Sequence, residues 1–312
     1  MTCILVTGAA GMVGRAFMKA MADTEHQLIA CDVTPPLELP DNAQFCPMDV
    51  TTDAPLRVVA RYQPDVIVHL ASVVTPPVGS DRDFAYRVDV LGTQNVVKAA
   101  LATGTKRLIV TSSGAAYGYH ADNSVPLSES DPLRGNEEFA YAHHKRLVEE
   151  FLAEVRVNAP QLEQVVLRVG TVLGKGTKNQ ITNLFLKPRL LAVSGSNSPF
   201  VFICTRDLAR ILCRAATNGP TGIFNVAADD TMDVQDLAGV LNKPILRLPA
   251  WLLRMALRIA KPLGLTQYGP EQVRFLQYRP VLSNAALKQE FGYSPQKSSR
   301  AVFECWHQSV QQ

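Results

Sequence analysis

The sequence lacks the cysteine patterns of zinc-binding and disulfide-rich proteins. Its six cysteines, at positions 3, 31, 46, 204, 213 and 305, never show the C-x-x-C spacing. Scattered cysteines of this kind are typical of reduced thiols that pack as small hydrophobic side chains. No H-x-x-x-H pair occurs, and the adjacent His143 and His144 would point in different directions from a helix. We therefore predict no metal site and a cytoplasmic localisation.

Long hydrophobic runs are missing as well. No apolar stretch reaches the roughly 20 residues that a helix needs to cross a bilayer. The first residues also lack the charged n-region of a signal peptide, and their apolar stretch leads directly into a glycine motif. We expect neither a membrane span nor a cleaved leader.

An excess of charge of either sign is also absent. The 31 basic and 28 acidic residues leave a net charge of +3, and no dense Lys/Arg stripe with interleaved aromatic residues appears. A nucleic-acid partner is therefore not expected. The 312 residues, 47% of them hydrophobic, suit one large domain or two closely joined lobes.

A glycine-rich turn follows the first apolar run. Cys3–Thr7 is short, apolar and bounded by glycine, which predicts a buried parallel strand. Residues 8–14 read G-A-A-G-M-V-G, and a helical pattern follows. Strand, glycine turn and helix start form a site for a pyrophosphate. Gly8 permits the turn, Gly11 lets the backbone approach the ligand, and Gly14 lets helix and strand pack closely.

An acidic residue follows the second predicted strand, 27–31. Asp32 lies 18 residues after Gly14, where a carboxylate can accept hydrogen bonds from ribose hydroxyls and repel a 2′-phosphate. This favours NAD over NADP. Arg15 leaves NADP open, because a guanidinium just past the loop could pair with a phosphate.

Further strands and helices alternate along the N-terminal half. We predict strands over 65–70 and 107–111 and a helix over about 84–103. The alternation indicates an α/β fold with a doubly wound parallel sheet of the Rossmann type. Ligands bind at the carboxyl ends of such strands, which here carry residues 69–72 and 111–113.

Tyr141 and Lys145 are the candidate catalytic pair. Four residues apart on a helix, they project from the same face. A nearby ammonium favours the phenolate and lowers the pKa of a tyrosine, which makes a general base. The spacing alone is also typical of a solvated helix face. The other motifs therefore decide between a catalytic pair and a solvated surface.

Together these motifs resemble the extended short-chain dehydrogenases/reductases, the branch that contains sugar-nucleotide epimerases and dehydratases. The resemblance rests on T-G-x-x-G-x-x-G at 7–14, D-V at 49–50, H-L-A-S at 69–72, V-L-G-T-Q-N at 90–95, T-S-S-x-x-x-Y-G at 111–118 and Y-x-x-x-K at 141–145. It covers most of the chain and continues to F-G-Y-S-P at 291–295.

The resemblance implies roles for individual residues. Tyr141 would exchange a proton with the substrate, Ser113 would hydrogen-bond the same substrate oxygen, and Lys145 would hold the nicotinamide ribose; Ser112 competes with Ser113 for its role. Asp49 would meet the adenine amine. The implied cofactor contacts are Gly8, Gly11, Met12, Val13, Gly14, Asp32, Asp49, Val50, Leu70, Ala71, Ser72, Thr111, Tyr141 and Lys145.

Departures from the family pattern narrow the chemistry. Dehydratases carry T-D-E after the serine run, whereas residues 113–115 are S-G-A without a carboxylate, so elimination of water is disfavoured. Thr171 stands where the epimerases place an asparagine against the substrate diphosphate, and Asp89 replaces the asparagine of N-V-x-G-T. The family's H-V-D-D segment reads C-T-R-D at 204–207. The substrate half thus departs further than the cofactor half.

The regular alternation breaks after residue 169. We predict an NAD-binding domain over 1–169 that also receives 199–228, and a substrate-binding lobe made of 170–198 and 229–312. Lys175 and Lys178 lie in a predicted lid loop, where each is either a solvated lysine or a ligand for phosphate or carboxylate. Thr171 and Ser113 complete the candidate substrate contacts.

Residues 249–261 predict an amphipathic helix. Arg254, Arg258 and Lys261 share one face, and the apolar face carries Leu252, Met255, Ala256 and Ile259. We favour a lid helix whose apolar face covers the substrate over a helix that lies on an acidic membrane surface. Trp251 and Trp306 are expected at a common hydrophobic pocket.

The predicted function is an NAD-dependent epimerase or oxidoreductase acting at a secondary alcohol, with a nucleotide-sugar epimerase first. The alternatives are an NAD(P)-dependent dehydrogenase/reductase of a more apolar, lipid- or steroid-like alcohol, and a non-catalytic dinucleotide sensor. The partner is then a small-molecule substrate. The resemblance also implies a homodimer through the helices near 84–103 and 138–155.

Overall fold

A parallel sheet forms the centre of the protein. The computed structural model describes residues 1–74, 82–266 and 269–311. Its strands are β1 (Cys3–Thr7), β2 (Gln27–Asp32), β3 (Ala43–Pro47), β4 (Val66–His69), β5 (Arg107–Ser113), β6 (Glu163–Val169), β7 (Thr171–Leu173), β8 (Leu190–Val193), β9 (Phe202–Cys204), β10 (Gly222–Val226) and β11 (Ile245–Leu248). Seven of them form the main sheet in the order β3-β2-β1-β4-β5-β6-β10, with every pairing parallel.

Helices connect the strands and cover both faces of the sheet. They are α1 (Met12–Ala20), α2 (Ala54–Tyr62), α3 (Arg82–Tyr86), α4 (Gly92–Thr103), α5 (Ala140–Asn158), α6 (Gln180–Leu186), α7 (Thr205–Thr217), α8 (Val234–Leu241), α9 (Ala250–Ala260), α10 (Gln272–Gln277), α11 (Ala285–Gln289) and α12 (Ser299–Gln311). A π-helical turn, Arg87–Leu91, joins α3 to α4, and a 3₁₀ turn, Gly114–Tyr117, follows β5.

The core lies in two layers, one on each side of the sheet. Phe17 and Met18 of α1 pack with Ile211 of α7 on one side, and Val97 of α4 packs with Leu152 of α5 on the other. Because the inner strands are buried on both faces, they are continuous apolar runs, which is why the sequence shows them clearly. The predicted α/β fold with a doubly wound sheet is confirmed.

Several boundaries differ from the predicted ones. Helix α1 begins at Met12, inside the glycine motif, because Gly11 in extended conformation precedes its first turn. The helix predicted over 84–103 is continuous but contains the π turn. Strand β3 carries only a weak sequence signal, since four of its five residues are not fully buried and its last residue is a proline.

The C-terminal part is built from short elements, as the break in alternation predicts. Strand β7 pairs with β9, and β8 pairs with β11, while β10 returns to the main sheet beside β6. A third core of aromatic rings, including Phe185, Phe303 and Trp306, holds these elements together. The exact division into two lobes stays a prediction.

The expectation that two tryptophans share a pocket is wrong. Trp306 is buried in the aromatic core, whereas Trp251 is 63% exposed. The helical pattern around Trp251 is correct, but helical periodicity does not say which face other elements cover. Within the described ranges, no helix is both long and apolar enough to cross a membrane.

Candidate active site

The glycine loop and the end of β4 approach each other too closely for side chains. Gly8 has φ +69°, and a Cβ added to it would lie 2.7 Å from the backbone N of Ala71. A Cβ on Gly14 would lie 2.3 Å from the carbonyl oxygen of Gly8. Only glycine fits at both places, so the backbone here is left open toward the start of α1, where Met12 and Val13 lie.

Asp32 holds this loop from the carboxyl end of β2. One carboxylate oxygen accepts from the backbone N–H of Ala10 at 2.9 Å, and the other accepts from Val33 at 2.8 Å. Each oxygen keeps a further lone pair, so the side chain can still accept from two hydroxyls. Arg15, in the first turn of α1, is exposed.

Asp49 and Val50 lie beyond β3. One oxygen of Asp49 accepts from the N–H and hydroxyl of Thr51, at 2.9 and 2.8 Å. Val50 is buried against Gly92, whose added Cβ would lie 2.7 Å from a Val50 methyl group. The carbonyl of Val50 accepts from Asn95 at 2.9 Å. The D-V and G-T-Q-N motifs therefore pack together.

His69 is fixed as a neutral imidazole beneath the loop. The hydroxyl of Thr93 donates to the carbonyl of Asp89 at 2.6 Å, so it can only accept from His69 Nε2, 2.9 Å away. Nδ1 then accepts from the hydroxyl of Thr7 at 2.7 Å. The same Thr7 oxygen accepts from the backbone of Leu70 and Ala71. Burial lowers the pKa of His69 to about 3, which agrees with a neutral ring.

Asp89 connects three parts of the site from within the π turn. Its oxygens accept from Ser72 Oγ at 2.9 Å, from the N–H of Val73 at 2.8 Å, and from His144 Nδ1 at 3.2 Å. Burial opposes ionisation of Asp89, but the hydrogen bond from His144 and the charge of Lys145 hold its pKa below the usual value. Sequence reasoning identified Asp89 as a departure and missed its partner His144.

The structure brings Tyr141 and Lys145 together at the start of α5. Lys145 is 5% exposed, and its Nζ lies 5.6 Å from the centre of the Tyr141 ring. Nζ donates to the carbonyl of Thr111 at 2.9 Å, at the carboxyl end of β5. An ammonium has three N–H donors, so two remain for a ligand.

The structure separates the two candidate serines. Ser112 is buried and donates to the carboxylate of Glu149, on the far face of the strand. Ser113 points to the opposite face, as neighbouring strand residues do. Its Oγ accepts from the N–H of Ala115 at 3.2 Å, which leaves its own proton to donate. Ser113 is thus the available hydroxyl.

A buried polar network supports β5 from below, and sequence reasoning missed most of it. Arg168 contacts both carboxylate oxygens of Glu149, with one N–O distance of 2.8 Å. It also donates to Tyr117 Oη at 2.8 Å, and Tyr117 in turn donates toward Asn225 at 2.9 Å. These residues come from β6, α5, the 3₁₀ turn and β10, so only the fold brings them together.

Aromatic rings pack with Tyr141, and one arginine lies against one of these rings. Tyr119, Phe139 and Phe275 pack in one cluster with Tyr141. The guanidinium of Arg279 lies 3.7 Å from the ring centre of Phe200 and 5.2 Å from that of Phe275.

Arg279 has no counter-charge among the described residues. Its side chain donates to the carbonyl of Ser198. Its buried Nε has no hydrogen-bond partner among the described residues. Burial lowers the pKa of Arg279 to about 9, because the charged form is poorly solvated. No sequence motif singled this residue out.

The remaining substrate candidates are Thr171, Lys175 and Lys178. Thr171 is half-buried in β7, and its N–H donates to Val201 at 3.2 Å. Lys175 and Lys178 are exposed. Lys175 lines a cavity of about 520 Å³ together with Arg206, and the residues that line it include none of Ser113, Tyr141 and Lys145.

The lid loop closes on the glycine loop. Thr177 Oγ1 contacts Met12 Sδ at 3.3 Å and accepts from the N–H of Gly174 at 2.8 Å. The indole N–H of Trp306 donates to the carbonyl of Thr177 at 3.0 Å. Helix α12 therefore holds the loop around Thr177 against the glycine loop.

The sheet order and the order of these motifs define an extended short-chain dehydrogenase/reductase. The sequence profile of the NAD dependent epimerase/dehydratase family matches residues 4–227. The chain belongs to this family, which confirms the resemblance seen in the motifs.

Individual relatives are distant. The chain is 24% identical over 318 residues to the uncharacterized protein y4nG of Sinorhizobium fredii, a match that covers 98% of this chain and 78% of that protein. Among solved structures, the UDP-glucose 4-epimerase of Thermotoga maritima with UDP-glucose has a TM-score of 0.77 at 17% identity, covering 99% of this chain and 98% of that one.

WbmG of Bordetella bronchiseptica, solved with NAD and UDP, has a TM-score of 0.75 at 19% identity and covers 99% of this chain and 93% of that one. At these identities the likeness of both structures concerns the fold.

Proposed function

We propose that the protein is an NAD-dependent epimerase that acts on a nucleotide sugar. The observation that carries the proposal is Arg279, a half-buried side chain whose Nε is buried and which has no carboxylate partner among the described residues, beside the aromatic cluster of Tyr141. A buried cation is costly unless an anion neutralises it. The diphosphate of a nucleotide sugar is such an anion, and arginine binds phosphate oxygens in a bidentate way.

The residues present fit NAD. A loop that tolerates only glycine at two points leaves room for a pyrophosphate against the start of α1. Asp32 has lone pairs for the adenosine ribose, and Lys145 has two N–H donors for the nicotinamide ribose. When bound, NAD would supply an acceptor and donor of hydride. The negative charge of Asp32 disfavours NADP.

The protein's own residues would move the proton. Tyr141 Oη takes the proton of the substrate hydroxyl and later returns it. Ser113 donates a hydrogen bond to the same oxygen and positions it. The Lys145 ammonium lies beside the ring of Tyr141 and is held in place by the carbonyl of Thr111. Proton transfer by a positioned side chain is worth about 10²–10⁴-fold in rate.

The site is not suited to dehydration. Elimination needs an acid and a base after the serine run, and Gly114 and Ala115 stand there. A Cβ on Gly114 would already lie 3.1 Å from a methyl group of Leu282, so a longer side chain would not fit without movement. This supports redox chemistry at the hydroxyl without loss of water.

A second candidate is a dehydrogenase or reductase of an apolar alcohol. The rings of Tyr119, Phe139 and Phe275 around Tyr141 favour it, because they offer apolar contact rather than sugar-binding polar groups. In both versions we propose a cytoplasmic homodimer, for which the family resemblance is the support. Thr171, Lys175 and Lys178 stay weaker candidates for substrate contact.

The test is an assay of purified protein on a panel of UDP- and dTDP-sugars, with product epimers detected by NMR. An epimerase converts the substrate without accumulating NADH, whereas a dehydrogenase shows a stoichiometric rise in NADH absorbance. Tyr141→Phe is expected to lower turnover about 10²–10⁴-fold while NAD binding stays intact. Full turnover in this variant would contradict the assigned base.

Arg279→Met tests the substrate class. We expect KM for the nucleotide sugar to rise about tenfold or more, since charged hydrogen bonds to phosphate are worth about 1.5–3 kcal/mol. NAD affinity should not change. Arg61→Met, at an exposed arginine of α2, is the matched control. An unchanged KM in Arg279→Met would remove the diphosphate from the proposal and favour the apolar alcohol.

A further inference from the structure

Helix α9 has a second apolar face that is open to solvent. Leu253 and Leu257 pack inward and hold the helix on the protein. Trp251, Met255 and Ile259 are each at least half exposed. The sequence-based prediction of a lid over the substrate does not describe this face, because these three side chains meet solvent.

The exposed face is a continuous stripe. At about 100° per residue, Trp251, Met255 and Ile259 lie within an arc of about 80°. Leu263 and Leu265, in the turn that follows the helix, are also 65% and 77% exposed. An unpartnered apolar surface of this kind marks an interaction site.

Basic side chains border the stripe. Arg254 and Arg258 lie between it and the buried leucines on the helical wheel, and both are exposed. Arg254 donates to the amide oxygen of Gln277 at 3.0 Å rather than to a carboxylate. Neither arginine forms an ion pair with any of the described residues.

The surrounding segment is strongly basic. Residues 243–279 contain seven lysines and arginines and one acidic residue, Glu271. The rest of the chain accordingly has three more acidic than basic residues. Glu271 lies 3.7 Å from Lys261 and so does not neutralise the two arginines. Arg279 of this segment lies against Phe200 and Phe275, and Arg274 pairs with Glu138 at 3.1 Å, so the unpaired charge of α9 itself is carried by Arg254 and Arg258.

We propose that α9 docks on an anionic lipid bilayer. Its apolar stripe enters the boundary between headgroups and acyl chains, and Arg254 and Arg258 contact lipid phosphates. A helix with apolar and aromatic residues on one side and arginines beside them is the form that lies in a membrane interface. Each basic residue near an anionic surface adds to the attraction.

Charge complementarity favours a bilayer over a second copy of the chain. In a symmetric dimer through this stripe, the same patch would meet itself, and Arg254 and Arg258 would face identical arginines without a carboxylate between them. A lid over the active site is also disfavoured. Helix α10 separates α9 from that site: its Val273 packs toward Leu253, and its Phe275 contacts Tyr119.

The two tryptophans make the test direct. Trp251 lies in the stripe, while Trp306 is buried in the core and serves as an internal constant. Full-length protein is mixed with vesicles of phosphatidylcholine and phosphatidylglycerol, and separately with vesicles of phosphatidylcholine alone. We expect co-sedimentation and a blue shift of tryptophan fluorescence only with the anionic vesicles, weakened by high salt.

Two sets of variants locate the contact. The double variant Arg254→Glu and Arg258→Glu should weaken vesicle binding at least about tenfold, because two attractive charges become repulsive. Met255→Ser with Ile259→Ser should abolish the blue shift. Lys19→Glu with Lys187→Glu makes the same change of charge at exposed positions outside residues 243–279 and should bind like wild type.

Three outcomes would overturn the proposal. They are wild-type protein that stays in the supernatant with anionic vesicles, an arginine variant that binds as well as wild type, and a concentration-dependent dimer that Ile259→Ser dissociates. The last would assign the stripe to a second copy of the chain. These readouts do not depend on epimerase activity.

Discussion

His69 shows how a single side chain keeps the glycine loop in place. It was predicted only as part of a strand-end motif. The structure places it between two threonine hydroxyls whose other hydrogen bonds determine which ring nitrogen carries the proton. A protonated ring would leave the hydroxyl of Thr7 without an acceptor, because its oxygen already accepts from two backbone amides.

The pKa of His69 predicts a loss of stability in acid. The value of about 3 in the folded protein lies below the usual 6.5, so the unfolded chain binds the proton first. The stabilisation is complete above pH 6.5 and decreases as the pH falls toward 3, by about 1.4 kcal/mol per pH unit from this group. Denaturant unfolding across this range measures it.

The control is a variant without the titrating ring. His69→Gln should show a flatter dependence of unfolding free energy on pH between 6.5 and 4 than wild type, whatever its stability at neutral pH. An NMR titration gives an independent check, since the ring signals of His69 should not shift above pH 4. A histidine that titrates near 6.5 in the folded protein would contradict the assignment.

Comparison of Gly8 with Gly104 separates two effects of an added Cβ, namely backbone strain and a steric clash with a neighbouring segment. Both have positive φ, +69° and +73°, so alanine at either position costs about 1 kcal/mol of stability through backbone strain. An added Cβ meets the backbone of Ala71 at Gly8 but meets nothing within 4 Å at Gly104.

Gly8→Ala is therefore expected to weaken NAD binding about tenfold or more, because the loop has to shift away from the cofactor. Gly104→Ala should lower the unfolding free energy and leave NAD affinity unchanged. Calorimetric titration with NAD checks both variants. Equal NAD affinity in the two variants would mean that the close contact at Gly8 does not shape the cradle.

At the scale of elements, the π turn between α3 and α4 explains a departure in the sequence. The extra residue in this turn places Asp89 where it accepts hydrogen bonds from Ser72, Val73 and His144. Turns of this type are often found at functional sites. The strand-end loop, the turn and helix α5 thus share one carboxylate.

Replacement of Asp89 tests this link. Asp89→Ala should cost about 2–4 kcal/mol, because several buried donors lose their acceptor, and should weaken NAD binding. Asp89→Asn keeps an acceptor for Ser72 and Val73 and should cost only about 1 kcal/mol. Thermal unfolding and NAD titration distinguish the two. An Asp89→Ala variant as stable as Asp89→Asn would show that the carboxylate contributes little.

Local sequence predicted the elements well where burial is two-sided. The inner strands are continuous apolar runs, and the helices that follow them repeat their apolar residues at helical spacing. Strand β3, near the edge of the sheet, was not predicted, because only one of its residues is fully buried. The choice between Ser112 and Ser113 also needed the structure, since it depends on which face of β5 meets Glu149.

At the scale of the whole molecule, the last described helix meets the glycine loop near the start of the chain. Trp306 in α12 holds Thr177, and Thr177 contacts Met12 in the glycine motif. This arrangement predicts that the C-terminal helix slows release of the cofactor. No local pattern could reveal it, because the three residues are far apart in the sequence.

Trp306→Phe tests this prediction. Phenylalanine keeps most of the aromatic packing but loses the N–H donor, at a cost of about 1 kcal/mol. We expect NAD to dissociate several-fold faster, measured by stopped-flow displacement, with a smaller change in thermal stability. Trp251→Phe, at the exposed tryptophan, is the control and should match wild type in both measurements. Unchanged dissociation in Trp306→Phe would separate the lid loop from cofactor release.

The sequence by itself determined the Rossmann sheet, the glycine cradle, the acid after β2 and the tyrosine–lysine pair. Each is a short-range pattern whose physical requirement, such as a tight turn or one helical face, is met by neighbouring residues. Only the tertiary structure decided which serine is available, that Arg279 has no counter-charge among the described residues, and that the outer face of α9 is uncovered. These features depend on contacts between distant segments, and burial is a property of the folded chain.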